Sequence, residues 1–112
     1  MYAQKTVIHA PMGKIMELRE MIAQKYLPVV RSRPGFMAAY LLEQVDDSDK
    51  CELILFWDNQ AALENFQKTG MLKASLQSLA LDMPGVRLER QGYMIRVATG
   101  RLPTQQENTV NA

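Results

Sequence analysis

Few residues in this sequence combine the type and the setting that catalysis needs, and the first is the single histidine, His9. It follows a short β-branched run and precedes Pro11, which places it at the end of a strand. An imidazole with an ordinary pKa of ~6.5 suits a general base, although a half-exposed histidine at a loop edge is the plainer interpretation. One histidine and one cysteine supply no ligand set for zinc. The sequence therefore predicts no metal, and without a glycine-rich nucleotide fingerprint it predicts no cofactor.

The single tryptophan, Trp57, is the second candidate. It ends an apolar run that begins at Leu53, and it could stack on a planar ligand or simply fill the core at the end of a sheet. Tyr40 and Tyr93 also fall on apolar strands. Their hydroxyl groups could point into a pocket, or they could bond to the backbone as buried tyrosines usually do.

The hydrophobic pattern predicts the elements that must position these residues. Strands are expected at residues 2–10, 36–44, 51–57 and 86–98, with Gly92 as a bulge in the last one. Helices are expected where apolar residues recur at helical spacing. The first spans 14–26 and is ended by Pro28 and then by Arg33-Pro34-Gly35. The second is capped by Asp58 or Asn59 and stops near Gly70, and the third runs from Met71 and is ended by Pro84-Gly85.

The resulting order is β-α-β-β-α-β, with the second helical region split in two. This order predicts a ferredoxin-like α+β fold, in which one four-stranded antiparallel sheet carries its helices on one face. We expect residues 1–98 to form one domain and 99–112 to form a C-terminal tail.

Composition excludes several classes of partner. The net charge of +1 over 112 residues gives no electrostatic case for nucleic acid or for an anionic membrane. The longest apolar runs, at 36–42 and 53–57, are too short to cross a bilayer as a helix. A single cysteine allows no intrachain disulfide, and the N-terminus lacks the apolar core of a signal peptide. A cytoplasmic protein is therefore expected.

The central hairpin predicts a homodimer. If its turn is centred on Asp47 and Ser48, Tyr40 lies opposite Leu55 and side chains alternate between the two faces. One face then carries Phe36, Ala38, Tyr40, Leu42, Leu53, Leu55 and Trp57, and the other carries Met37, Ala39, Leu41, Ile54 and Phe56. Both faces are apolar, but the helices can cover only one. A second copy is the simplest cover for the other face.

Three short motifs, taken in order, resemble those of the antibiotic biosynthesis monooxygenase family. Pro11-Met12-Gly13-Lys14 resembles the loop that opens its first helix, and Arg33-Pro34-Gly35-Phe36 resembles the entry to its second strand. The stretch 53–66 (LILFWDNQAALENF) resembles its strand, tryptophan, helix cap and short helix. The resemblance spans roughly residues 2–98.

This resemblance implies a dimeric α+β barrel with a pocket between sheet and helices in each subunit. Some members of the family oxidise phenolic or polyketide substrates with oxygen and no cofactor, and another branch binds and degrades haem. On this basis Trp57 is expected to pack on the substrate and His9 to act as the base. The expected substrate contacts are Phe36, Tyr40, Leu55, Phe66 and Tyr93.

The sequence thus favours a cofactor-independent monooxygenase that acts on an aromatic or quinol-like small molecule. A non-catalytic dimeric module that shelters a hydrophobic small molecule is the alternative, and a haem binder is the third possibility. The haem-degrading branch has a histidine in the helix after its tryptophan, whereas residues 61–80 contain none.

Overall fold

Strands and helices alternate along the chain in the expected order. In the computed structural model, which describes residues 1–100, β1 (Tyr2–His9) leads into α1 (Ile15–Met21), a π-helical segment (Ile22–Tyr26) and α2 (Leu27–Val30). The hairpin of β2 (Phe36–Glu43) and β3 (Lys50–Trp57) follows, and then come α3 (Gln60–Lys68), α4 (Met71–Asp82) and β4 (Arg87–Met94). Most of the expected tail, residues 101–112, lies outside the described residues.

The four strands form one antiparallel sheet in the order β2-β3-β1-β4, which confirms the ferredoxin-like α+β fold. The sheet is open, with β2 and β4 at its edges, and the helices pack on one face. Within the central pair, Tyr2 lies opposite Trp57 and His9 lies opposite Lys50. No helix among the described residues is long and apolar enough to cross a membrane.

A β-bulge in β2 overturns the expected pairing of the hairpin. Phe36 lies opposite Trp57, but Ala38 already lies opposite Phe56, so Met37 is an extra residue without a partner of its own. The expected register was derived from the turn alone. A bulge further along the strand leaves no signal in the turn sequence.

The bulge also exchanges the faces that the side chains of β2 occupy. Ala39, not Tyr40, lies opposite Leu55, and Ala39 and Leu41 pack against the core beneath the helices. Tyr40 points to the uncovered side, where its ring meets Phe56 edge to face at 5.8 Å between centroids. The expected faces of these β2 residues were wrong because a shift of one residue moves every later side chain to the opposite face.

The first helical region continues past Pro28 to Val30 instead of stopping where expected. The N–H of Leu27 donates to the carbonyl of Ile22, five residues back, which adds one residue to that turn. In an unbroken α-helix the ring of Pro28 would clash with the carbonyl of Gln24. The wider turn avoids this clash, and Pro28 lies in the first turn of α2, where a missing N–H costs little.

The last strand is shorter than the expected 86–98. β4 ends at Met94, opposite Tyr2, and beyond it the Ile95 N–H still donates to the Met1 carbonyl at 3.2 Å. Gly92 is not a bulge, because the pairing is continuous through it. It instead makes room for Tyr2, whose hydroxyl would overlap a Cβ at this position.

Gly35 provides a test of how closely the entry to β2 packs on α3. Its φ is +81°, and an added Cβ would lie 2.5 Å from the Cβ of Ala62. Gly13 has a similar φ of +76° but open space around it. We expect Gly13→Ala to lower the free energy of unfolding by about 1 kcal/mol through left-handed strain. Gly35→Ala should cost about 1–3 kcal/mol more through overlap. Urea denaturation measures both, and equal losses would contradict the close packing.

Candidate functional site

Trp57 lies at the centre of an aromatic cluster beneath α3. Its side chain is 0% exposed and stacks on Phe66, with 5.7 Å between ring centroids and 29° between ring planes. The ring of Phe36 meets it edge to face at 5.6 Å, and Leu55 is buried on the same side of the sheet. Four of the residues expected at the site are thus brought together, but as tightly packed core. The Nε1 of Trp57 is buried with no hydrogen-bond partner among the described residues.

The chain after Trp57 fixes the helical layer by local hydrogen bonds. The Ala62 N–H donates to Asn59 Oδ1 at 2.9 Å, which identifies Asn59 as the cap of α3. At the far end of α3, the Thr69 hydroxyl donates to the Phe66 carbonyl at 2.7 Å and accepts from the Met71 N–H at 3.2 Å. These bonds end one helix and start the next, so the position of α4 over the sheet follows from that of α3.

A cavity of about 280 Å³ lies between the sheet and the helical layer. Its floor is the sheet, where Thr6, Ile8, Leu53 and Leu88 point inward. The π-helical segment forms one wall, and α4 forms the other. The volume is at the lower end of the range for ligand pockets, which suits a small ring system.

The π-helical segment brings a tyrosine into this cavity. Burial raises the pKa of Tyr26 to about 12, against a smaller opposing influence of the Arg90 charge. At neutral pH the side chain is therefore an uncharged phenol that can donate a hydrogen bond. Segments of π-helix are often found at functional sites, because they re-aim the side chains that follow.

Two cations, Lys25 and Arg90, line the mouth of the cavity, and both are exposed. Lys25 is engaged, since its Nζ lies 3.3 Å from a carboxylate oxygen of Asp82. Arg90 makes no hydrogen bond or ion pair with any of residues 1–100. No aspartate, glutamate or histidine lines the cavity within the described chain. The cavity thus offers an unpaired positive charge but no evident base.

A polar cleft of about 290 Å³ continues along β1 and β4 from the same arginine. Its lining includes Tyr2, Gln4, Glu64 and Gly92 together with Arg90. Gln4 is 5% exposed, and its Oε1 has no hydrogen-bond partner among the described residues. A buried acceptor in this state is suited to a donor from a ligand or from water.

The other expected site residues lie on the side of the sheet that no helix of residues 1–100 covers, which we call the open face. His9 lies there in register between Lys50 and Arg87, at the end of the β1–β3 pair opposite to Trp57. Tyr40 lies on the same face, as does Tyr93, whose ring centroid is 5.7 Å from the Lys5 Nζ. The structure therefore does not bring His9, Tyr40 or Tyr93 to the cavity or to Trp57.

Metal ligands and reactive thiols are not evident in this part of the chain. Within residues 1–100, no three His, Cys, Asp or Glu side chains form a cluster that could hold a metal ion. Cys51 is buried, and desolvation raises the pKa of its thiol to about 11. A thiol with such a pKa is a poor nucleophile at neutral pH.

A model of one protein family matches most of the described chain. The model, described as antibiotic biosynthesis monooxygenase, covers residues 1–77, which is more than half of the 112 residues. The chain belongs to the antibiotic biosynthesis monooxygenase family. No curated protein matches it.

Solved structures with this architecture include proteins with named activities. The monooxygenase ActVA-Orf6 of Streptomyces coelicolor, in complex with nanaomycin D, has a TM-score of 0.73 at 15% identity and covers 90% of this chain and 92% of its own. SnoaB, a cofactor-independent oxygenase of Streptomyces nogalater, has a TM-score of 0.71 and is 17% identical. The match covers 89% of this chain and 98% of SnoaB. The haem degrader MhuD of Mycobacterium tuberculosis, with two haems bound, has a TM-score of 0.61 and is 18% identical. The match covers 88% of this chain and 100% of MhuD. At these identities the likeness establishes a shared fold.

Sequence interpretation missed two of the polar residues that line this family member's cavity, Tyr26 and Arg90. Tyr26 was expected only as the last residue of the first helix. Arg90 was overlooked, yet it lies two residues after Leu88 and so shares its inward register, opposite Thr6. An arginine at an inward position of an edge strand is the signal that could have found it.

The raised pKa of Tyr26 predicts a loss of stability in alkali. An unfolded tyrosine ionises at a pKa of about 10, so between this value and about 12 the unfolded chain loses its proton first. The free energy of unfolding therefore falls as pH rises through this window, and Cys51 contributes in the same direction. The variant Tyr26→Phe keeps the contribution of Cys51 to this fall in the free energy of unfolding but lacks the contribution of Tyr26. Urea denaturation from pH 9 to 11 should show a shallower decline for Tyr26→Phe than for the wild type, and parallel curves would contradict the assignment.

Proposed function

We propose that the protein is a cofactor-independent monooxygenase that oxidises a small aromatic or quinol-like compound in the cavity between sheet and helices. The observation that carries this proposal is the cavity itself, whose lining is mostly apolar and bears a few polar groups. Family membership supports the reaction class, since ActVA-Orf6 is named a monooxygenase and SnoaB a cofactor-independent oxygenase.

Such a reaction takes all its electrons from the substrate. When one O₂ oxidises a naphthol to a naphthoquinone, one oxygen atom is placed on a ring carbon and the other leaves as water. No external reductant is needed, because the phenolate form of the substrate passes the first electron to oxygen. The protein has to align the ring, exclude bulk water and stabilise the anion.

The described residues divide this work between the cavity and the core. The apolar floor at Ile8 and Leu88 would pack against the ring, and the uncharged Tyr26 hydroxyl would donate a hydrogen bond to a substrate oxygen. We assign Trp57 to positioning, because its contacts hold α3 and α4 over the sheet. We do not assign His9 as the base, because it lies on the open face.

A non-catalytic binding module is the second candidate. It is favoured by the lack of any carboxylate or imidazole in the lining that the described residues provide. The residues also do not fit a histidine-ligated haem, since the only histidine lies across the sheet. A phenolate ligand from Tyr26 is disfavoured as well, because burial raises its pKa to about 12.

Filling the cavity should abolish the activity. Leu76 lines the cavity, whereas Leu81 on the same helix is 81% exposed. We expect Leu76→Trp to lose turnover of a panel of naphthols, while the matched control Leu81→Trp retains it. Oxygen uptake measures the rate, and ¹⁸O₂ labelling shows whether one oxygen atom enters the product. Binding without labelled product would favour the binding module, and equal activity of the two variants would place the site elsewhere.

We also propose that two copies associate through the open face. Its centre is apolar, where Leu42, Ile54 and Phe56 lie, and no helix within residues 1–100 covers them. Soluble monomers rarely expose a continuous apolar patch of this kind. A second copy related by two-fold symmetry presents the same patch and buries both.

A charge at the centre of this patch should prevent association. We expect the wild type to sediment as a dimer at micromolar concentration and Ile54→Asp to sediment as a monomer, because an unpaired carboxylate is costly to bury. Met16→Asp is the matched control, since Met16 is 67% exposed on α1. A wild-type monomer, or equal effects of the two substitutions, would contradict the proposed interface.

A further inference from the structure

Arg90 occupies the point where the apolar cavity and the polar cleft meet. It lines both, and its strand register directs it inward beside Leu88 and opposite Thr6. The other cation of the cavity, Lys25, already has a carboxylate partner in Asp82. Arg90 has no carboxylate partner among residues 1–100. Its guanidinium N–H groups are therefore available to bind an anion.

The same cavity lacks a group that could take a proton from a neutral substrate. Its lining within the described chain contains no carboxylate and no imidazole. Tyr26 is an uncharged phenol at neutral pH, which can donate or accept a hydrogen bond but is too weak a base to take a proton. A substrate ring held in the cavity would find no base there, since the one carboxylate near Arg90, that of Glu64, lines the adjoining cleft and not the cavity.

From these two observations we infer that the site takes a substrate that is already ionised, an acidic phenol or enol on a fused aromatic ring, and that Arg90 holds its anionic oxygen. This inference rests on the proposed function of the same cavity. It names the substrate class and explains how oxidation could proceed without a base, because the ionised ring is the form that passes an electron to oxygen. The guanidinium suits the task, since it offers several N–H donors in one plane.

The polar cleft limits the charge of that substrate. Glu64 lines the cleft and makes no ion pair with Arg90. A second negative group that extended into the cleft would meet this carboxylate, whereas a hydroxyl could donate to the unpartnered Oε1 of Gln4. The structure therefore favours a ring with one anionic oxygen and a hydrogen-bond donor beside it.

Two naphthoquinones that differ only at one oxygen provide the test. The enol of 2-hydroxy-1,4-naphthoquinone is ionised at neutral pH, whereas 2-methoxy-1,4-naphthoquinone is uncharged. Titration calorimetry on the full chain measures the affinity of each. We expect Arg90→Gln to weaken binding of the anion by about 5- to 30-fold, between the values for an exposed ion pair and for a charged hydrogen bond. Binding of the methyl ether should change by less than about twofold.

Two further variants distinguish a direct contact between Arg90 and the anion from a general effect of the protein's positive charge. Arg87→Gln removes the same charge from the same strand but on the open face, and it should leave both affinities unchanged. Arg90→Lys keeps the charge and should retain part of the preference for the anion.

The possible failures of the test are distinguishable. If Arg90→Gln binds both compounds as the wild type does, or weakens both equally, the role of Arg90 is overturned while the cavity remains the binding site. An equal loss of anion binding in Arg87→Gln overturns the role of Arg90 in the same way. If the wild type binds neither compound, both the inference and the proposed use of the cavity fail.

Discussion

The stacking of Trp57 on Phe66 is the contact on which the arrangement of the helical layer depends. Trp57 ends β3, and Asn59 starts α3 two residues later by accepting the N–H of Ala62. The stack then holds the far end of α3 against the sheet, and Thr69 starts α4 from there. The position of the α4 wall of the cavity therefore depends in part on an aromatic contact outside the cavity. Large aromatic side chains suit such a role because each buries much apolar surface with few rotatable bonds.

Local pattern was enough to predict the order of elements, because strand and helix periods and the cap at Asn59 are written in short stretches of sequence. It was not enough for the register of β2. The bulge at Met37 depends on packing across the sheet and not on the turn sequence. Because the bulge shifts the register by one residue, Tyr40 was expected on the wrong face. The continuation past Pro28 was missed for a similar reason, since proline ends most helices unless a wider turn precedes it.

The candidate site was predictable in part. Trp57, Phe36, Leu55 and Phe66 were expected to lie together, and they do, but three of them are buried core, Phe36 packs against that core, and none lines the cavity. The cavity is a gap between the π-helical segment and α4, and the size of such a gap is set by tertiary packing that no single motif encodes. The chemistry changes accordingly. Because His9 lies across the sheet and Arg90 has no partner among residues 1–100, we propose a site that holds an anion rather than one that makes it.

The most direct test of this account is to locate a bound ligand on the full chain by NMR. Titration of the ¹⁵N-labelled protein with 2-hydroxy-1,4-naphthoquinone should shift the backbone amides of the cavity. The expected shifts are confined to the π-helical segment, to α4 between Leu72 and Leu79, and to β4 around Leu88. Shifts confined to the open face around Ile54 and Phe56 would contradict the account, because the ligand would then bind on the other side of the sheet.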